Sequence, residues 1–516
     1  MISKHAITKY LEQEADSHTW VKEKGRTWFY NYIDQLPGTN PWLHQLACTY
    51  LGVKYPHFGF FLKMALGKSK IIIDILRHRL QKRPRLVTLV LAPYLISMES
   101  WRDQLQTHSN GIPFSILTGS SEERFAEVQQ AKSAIYVINY QGLSAMLTDT
   151  IIKVRKGRKK QKPEWAINKA KLEEFASYFD VLVLDESTAI KNHQTIIYKI
   201  CLELSRVTQF HYLLTGTPFG KNTHDVWAQY MVMDSGETFG QTLGIFREAF
   251  FDTKINYWGG YEYKFRPNMQ PEFTRKLEHR TIHYSLDECL DLPQQIESCL
   301  YLDWDTEAKV YYDQLKKSFI EMVKSRGNVV QIKNHFMRLR QITSGFLMHK
   351  DDDEKTVVRF QTNPKINALL ELLQQSDIND KFVVFHFFIQ TGEMIAEMLS
   401  KEKYKFSRMW SGTKDKEAEY KKFTENPETK VIILNEQVGA LGLNLQMANY
   451  LTFFDIPVSP ITKEQAAARC RRPGQTKTVF CYNFLMKDSV DVKIHDSSIK
   501  GKNLLNSILS GEKANL

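Results

Sequence analysis

FGFFLKMALGKSKIIIDIL, residues 58–76, sets an apolar run, a short turn and an amphipathic stretch in immediate succession. Phe58 to Leu62 has no polar alternation, the pattern of a strand buried on both faces. Gly67-Lys68-Ser69 follows, and apolar residues then resume at helical spacing. Strand, tight turn and helix, in that order, form the context a phosphate-binding loop requires. Backbone N–H groups at the helix start cradle phosphate, Lys68 reaches the β and γ oxygens, and Ser69 holds Mg²⁺. GKS alone is a weak signal, and a chance match in a turn competes with it. The loop also lacks the usual earlier glycine, with Ala65 in its place.

The same alternation of short apolar runs and helical stretches extends in both directions. Upstream of residue 235 the runs are Phe58 to Leu62, Leu86 to Ala92, Ala134 to Ile138, Val181 to Leu184 and His211 to Leu214. Downstream they are Phe382 to Phe388, Val431 to Leu434, Tyr450 to Phe454 and Val479 to Leu485. This pattern predicts an α/β protein with two parallel-sheet domains, helices covering both faces of each. The expected divisions are an N-terminal accessory element (1–35), a first lobe (36–234), an insertion or bridge (235–355), a second lobe (356–495) and a C-terminal tail (496–516). The bridge is expected to be mainly helical, around Glu307 to Ser325 and Val329 to Gln341. Its aromatic stretch FREAFFDTKINYWGGYEYKFRP reads as packing more readily than as a base-stacking surface.

Composition narrows the class. Hydrophobic residues at 43% and charged residues at 25% exclude wholesale disorder for a chain of 516 residues. No apolar run reaches the ~18 residues that span a bilayer, and the start MISKHAITKYLEQEAD lacks the apolar core of a secretory signal, so a cytoplasmic chain is expected. Six scattered cysteines form no CxxC pair, and buried free thiols are the simplest reading. A net charge of +11 suits a phosphate-rich partner, most pointedly at VRKGRKKQKP, residues 154–163. Arg155, Arg158, Lys159 and Lys160 within it are candidate backbone contacts. A solvated loop is the alternative, and a nuclear targeting signal a lesser one.

Three further motifs carry chemistry. FDVLVLDESTAIKN (179–192) delivers Asp185 and Glu186 to the C-terminal end of a strand, where ligands sit in open α/β sheets. Asp185 there can hold Mg²⁺, and Glu186 can orient or deprotonate water. A helix N-cap followed by a first-turn acid is the bland equivalent. HYLLTGTPFGKN (211–222) ends another strand with Thr215 and Thr217. QAAARCRRPGQTKTV (465–479) places Arg469 and Arg472 three apart, on one face if the segment is helical, as a phosphate clamp or a surface salt-bridge pair.

GKS, DES and TGTP in one lobe, followed by GALGLNL (439–445) and QAAARCRRPGQ in the other, resemble the Swi/Snf-type branch of superfamily-two helicases. NPWLHQLA with Gln45, LAPYLISMESW with Pro93 and Trp101, VINYQGL with Asn139 and Tyr140, LRQITSGF and KFVVFHFF are similar to further segments of that branch. The resemblance covers about residues 40 to 495. It implies two RecA-like lobes closing on one ATP and stepping along duplex DNA, with ATP and Mg²⁺ as ligands. Carried over, Gln45 reads adenine, and Ala65, Leu66, Gly67 and Lys68 bind phosphate. Ser69 and Asp185 hold Mg²⁺, Glu186 activates water, and Arg469 and Arg472 stabilise the transferring phosphoryl group. Asn139, Thr215 and Thr217 couple nucleotide state to the DNA track, and Gly442 touches ATP and backbone.

The chain departs from the family at several positions. Leu62, Lys63 and Ala65 stand where acids and a glycine are usual, Thr188 and Arg471 where histidines are, and Ala440 where a second glycine is. The expectation is a monomeric DNA-dependent ATPase of compact phage or bacterial type, without membrane association. It would act on forks or four-way junctions by unwinding or branch migration in replication, recombination or repair. A duplex translocase that never separates strands, a DNA-binding scaffold with a weakened ATPase, and an RNA motor are the alternatives.

Overall fold

The computed structural model describes residues 41–152, 163–216, 223–255, 261–290, 292–325, 328–351, 354–410, 412–436, 443–501 and 503–509. These group into two compact units, one running through residue 253 and taking in 263–290, the other holding 254–262 and 291 onward.

Eleven strands are described before residue 291: β1 His57–Leu62, β2 Thr88–Ala92, β3 Phe114–Ile116, β4 Ile135–Asn139, β5 Thr148–Ile152, β6 Pro163–Ile167, β7 Val181–Asp185, β8 Phe210–Thr215, β9 Phe251–Ile255, β10 Tyr261–Phe265 and β11 Thr281–Tyr284. Seven of them form one sheet in the order β11-β1-β8-β7-β2-β4-β3. Every pairing within it is parallel. Its faces are covered separately. Phe58, Phe60 and Leu62 pack with Ile71, Ile72 and Ile75 of the helix Lys68–Lys82, while Phe61, Leu89 and Leu91 pack with Tyr136, Leu143 and Phe175. The chain leaves β1 for β2 with β8 and β7 lying between them, so the carboxyl ends of β1, β8 and β7 stand side by side, at the end of the sheet where ligands sit in open α/β folds.

Strands β12 Gln295–Leu302, β13 Phe346–Asp351, β14 Glu354–Arg359, β15 Phe382–His386, β16 Phe406–Met409, β17 Val431–Asn435, β18 Tyr450–Phe453 and β19 Val479–Met486 follow. Six build a second parallel sheet, β12-β19-β18-β15-β17-β16. The apolar interiors of β15 and β17 carry its core, with Leu369, Ile395 and Phe484 packed against them. Two parallel-sheet α/β lobes are thus present.

The stretch expected as a bridge is divided between the sheets rather than standing apart. Its β11 becomes an edge of the first sheet and its β12 an edge of the second. The helices Thr306–Lys324 and Val329–Thr343 pack on one another, with Phe319 and Phe336 buried. The basic segment is flanked by the antiparallel pair β5 and β6, and DDDEK begins on the last residue of β13 and ends within β14. The tail begins inside a helix, Val490–Ile499, and a further helix, Leu504–Leu509, buries Leu504 and Ile508. The accessory element expected over 1–35 lies outside the described residues. None of the described helices is long and apolar enough to cross a membrane.

Candidate active site

Strand β1 ends at Leu62 and the helix Lys68–Lys82 begins six residues later, with Gly67 as its N-cap at φ +74°. Ala65 is also left-handed, at φ +68°. The backbone therefore reverses twice within three residues, a sequence that favours glycine at both places. Glycine occupies one and alanine the other. A side chain at Gly67 would meet an obstacle as well, since a Cβ there would stand 2.2 Å from Gln45 Nε2.

Two neighbours hold the loop from behind. Gln45 Nε2 donates to the Leu66 carbonyl at 3.3 Å, and His44 Nε2 lies 2.9 Å from the same oxygen. Burial holds His44 below the usual histidine range, which keeps the ring neutral and Nε2–H available as the donor. Because a trans peptide sets its C=O and N–H on opposite sides, drawing Leu66 O towards these donors turns the Gly67 N–H the other way. Gln45 Oε1 accepts from Trp42 N at 3.0 Å. Gln45, expected to read adenine, is buried and engaged at both ends of its amide with this loop and the helix entry.

Lys68 Nζ donates to the Leu62 carbonyl at 3.0 Å, so the ammonium lies back over the end of β1. Two strands away, Asp185 closes β7 and is followed by Glu186 at φ +47°, a strained conformation for a non-glycine residue. Three donors fix the turn. Trp101 Nε1 donates to Asp185 Oδ2 at 2.9 Å, Glu186 N to Asp185 Oδ1 at 3.0 Å, and Tyr140 Oη to the Asp185 carbonyl at 2.9 Å. Burial pushes the Asp185 carboxyl up to about 6, the nearby Glu186 adds to the shift, and the Trp101 N–H and the Lys68 charge oppose it. Such a group gains from a cation.

Thr215, at the end of β8 between β1 and β7, donates to Glu186 Oε2 at 3.4 Å. Ser187 Oγ donates to Gln229 Oε1 at 2.7 Å, tying the acidic turn to the helix Val226–Asp234. One sheet edge therefore brings together Lys68, Asp185, Glu186 and Thr215. Asn139 ends β4 with its side-chain oxygen committed to the Gly142 N–H at 2.8 Å, capping the following helix. Arg155, Arg158, Lys159, Lys160, Thr217 and Gly442 lie outside the described residues.

In the second unit the helix Pro460–Ala467 stops before either candidate arginine, so Arg469 and Arg472 do not share a helical face. The chain tightens into turns, with Arg469 N bonding Ala466 O and Cys470 N bonding Ala467 O, and Pro473 disfavours a helical Arg472. Arg469 is buried, and its carbonyl accepts from Leu445 N at 3.0 Å. Arg472 Nε donates to Ala468 O at 3.1 Å, and burial draws its guanidinium down from the ordinary value. At the end of β17, Glu436 is 9% exposed, and its Oε2 has no hydrogen-bond partner among the described residues.

Mg²⁺ fits the first-unit edge by its donor set. The Asp185 carboxylate and the Ser69 hydroxyl are hard oxygen donors of the kind Mg²⁺ takes. That matches a metal held by one or two protein oxygens together with substrate phosphates.

A family model described as the SNF2-related domain matches residues 60–347, more than half of the chain, and one described as the helicase conserved C-terminal domain matches 364–474. The chain belongs to the SNF2-related family. The uncharacterized ATP-dependent helicase MG018 of Mycoplasma genitalium is 22% identical over 448 residues, covering 85% of this chain and 39% of its own length. The Bacillus subtilis protein YwqA is 23% identical over 456 residues, 86% of this chain and 45% of its own. The chain thus spans less than half the length of these two relatives. Protein p41 of Acyrthosiphon pisum secondary endosymbiont phage 1 is 22% identical over 87% of this chain and 93% of its own. The Sulfolobus solfataricus SWI2/SNF2 ATPase core, solved in complex with dsDNA, is 22% identical with a TM-score of 0.40, covering 92% of this chain and 94% of its own.

Trp101, Tyr140 and His44 took no role from the sequence, although their segments carried the SNF2 resemblance. Nothing in spacing or composition distinguishes a buried tryptophan that packs from one whose N–H meets a carboxylate.

Proposed function

We propose that this chain is a DNA-dependent ATPase that moves along DNA, working in a reducing compartment consistent with its six free cysteines. The observation that carries this reading is the convergence of Lys68, Asp185, Glu186 and Thr215 at one parallel-sheet edge, behind a loop whose backbone is held open by His44 and Gln45. Lys68 binds the β and γ phosphates of ATP. Ser69 and Asp185 hold Mg²⁺, which when bound neutralises charge on those phosphates. Glu186 orients the attacking water and takes up its proton, and Thr215, in contact with Glu186, passes the state of that carboxylate towards the loop after β8. Arg469 and Arg472 supply positive charge to the transferring phosphoryl group, as the resemblance implies.

The DNA partner rests on family membership, on the net charge of +11 and on the basic segment at 154–163. Contacts to the phosphate backbone give movement without sequence reading. The finer proposal is a preference for branched DNA, where a translocase lacking sequence specificity gains a defined starting geometry.

The test is ATP hydrolysis in Mg²⁺ with no DNA, single strand, blunt duplex and a four-way junction, alongside Lys68→Ala and Glu186→Gln. Stimulation by DNA that both substitutions abolish supports the ATPase. Equal rates on duplex and junction remove the branched-DNA preference, and DNA binding without hydrolysis replaces the motor with a scaffold.

A further inference from the structure

We propose that Trp101 is a positioning residue for the Asp185 carboxylate, its indole N–H fixing the orientation in which that carboxylate receives Mg²⁺. The proposal rests on the ATP-site reading above. Trp101 lies on the helix Leu95–His108, which follows β2, and β2 is the immediate neighbour of β7 in the sheet. Its side chain is 2% exposed, so the ring is held by packing, and its Nε1–H reaches Asp185 Oδ2 at 2.9 Å.

The two carboxylate oxygens are held by donors of different origin. Oδ1 accepts from the Glu186 backbone, which comes with the turn itself, whereas Oδ2 accepts from a side chain supplied by the neighbouring strand's helix. A carboxylate held at one oxygen still turns about its last two torsions; held at both, it has one orientation. Each oxygen keeps a second lone pair for a metal-bound water or the metal.

Tryptophan suits the role because its N–H only donates. It cannot accept, ionise or exchange roles with the carboxyl. Tyr140 anchors the same residue through its backbone, with Oη on the Asp185 carbonyl at 2.9 Å, leaving the side chain's aim to Trp101. Partners that orient a metal-binding group in this way commonly change metal affinity about 10- to 100-fold when removed.

The experiment measures binding of the fluorescent analogue N-methylanthraniloyl-ADP to the full chain, in EDTA and across a Mg²⁺ titration. Wild type is compared with Trp101→Phe and with benzothienylalanine incorporated at position 101. The latter replaces the N–H by sulfur in a ring of nearly the same shape, so it tests the hydrogen bond without emptying the core. The expected result is an unchanged affinity in EDTA and a Mg²⁺ midpoint raised about 10-fold in both variants. Equal Mg²⁺ midpoints in wild type and the benzothienyl variant overturn the proposal. So does a loss of affinity equal with and without Mg²⁺, which marks a packing role. Wild type that binds no nucleotide under either condition overturns the ATP-site reading instead.

Discussion

Ala65 and Gly67 stand two residues apart in the same left-handed region, at φ +68° and +74°, and between them shape the loop that follows β1. The first carries a Cβ and the second does not. A left-handed alanine costs about 1–2 kcal/mol, while glycine adds about 0.5–1 kcal/mol of unfolded-state entropy. Ala65→Gly is therefore expected to leave stability unchanged or raise it by up to about 1.5 kcal/mol, with nucleotide binding retained. Gly67→Ala runs the other way, because its Cβ would collide with Gln45 Nε2. Paired thermal melts and nucleotide titrations check both, and a Gly67→Ala protein that binds nucleotide normally contradicts this account of the loop.

Gln45 joins that loop to the helix entry through two hydrogen bonds, to Trp42 N and Leu66 O. Gln45→Ala removes both and leaves Leu66 O with His44 alone. At about 1 kcal/mol for each bond, the expected loss is on the order of 2 kcal/mol, read by denaturant unfolding. ATP and GTP affinities should fall together where loop support is the residue's main contribution. A selective loss of ATP binding would restore adenine reading as its chief role.

Asp185 is a buried carboxylate beside Glu186, a combination that destabilises the ligand-free fold at neutral pH. Asp185→Asn removes the charge and keeps an acceptor for the Trp101 N–H, at the loss of the oxygen that accepts from Glu186 N. The expected outcome is abolished hydrolysis together with a nucleotide-free protein about 1–2 kcal/mol more stable at pH 7.5, the trade of stability for a functional charge. A melting temperature below wild type at that pH would show that the hydrogen bonds to the carboxylate outweigh its desolvation.

The interior of both sheets was legible in the sequence, and their margins were not. The nine strands read from continuous apolar runs are the interior strands β1, β2, β4, β7, β8, β15, β17, β18 and β19, buried on both faces. The four that escaped, β3, β11, β12 and β16, are the edges, which are short or carry polar residues within the run, as in the four-residue TIHY of β11 and the half-exposed QIESCLYL of β12. That is also why 235–355 looked like a separate bridge: its contribution to each sheet is an edge strand. The site divides in a similar way. Lys68, Asp185, Glu186 and Thr215 end or follow buried strands, and their order along the chain makes them candidates. The Trp101 and Tyr140 contacts join residues 84 and 45 apart in sequence, across sheet neighbours that sequence order does not reveal.

Glu436 gives the second unit a pH dependence of definite sign. Burial pushes its carboxyl up to about 7 and Asp455 adds to the shift, while Arg340 opposes both. Arg340 is itself engaged with the Ile456 carbonyl at 3.0 Å and lies over the Phe387 ring at 4.3 Å. In the unfolded chain Glu436 releases its proton near the ordinary glutamate value, so between about 4.5 and 7 the folded state holds a proton that the unfolded state has lost. Stability from this group is complete below that window and declines as pH rises through it, by an amount on the order of 3 kcal/mol. Glu436→Gln cannot titrate and removes this slope. Chemical unfolding of the nucleotide-free protein at pH 5 and 7.5 should show the variant gaining on wild type as pH rises. Curves that stay parallel across the window would mean that Glu436 already carries its charge in the folded protein, balanced by Arg340.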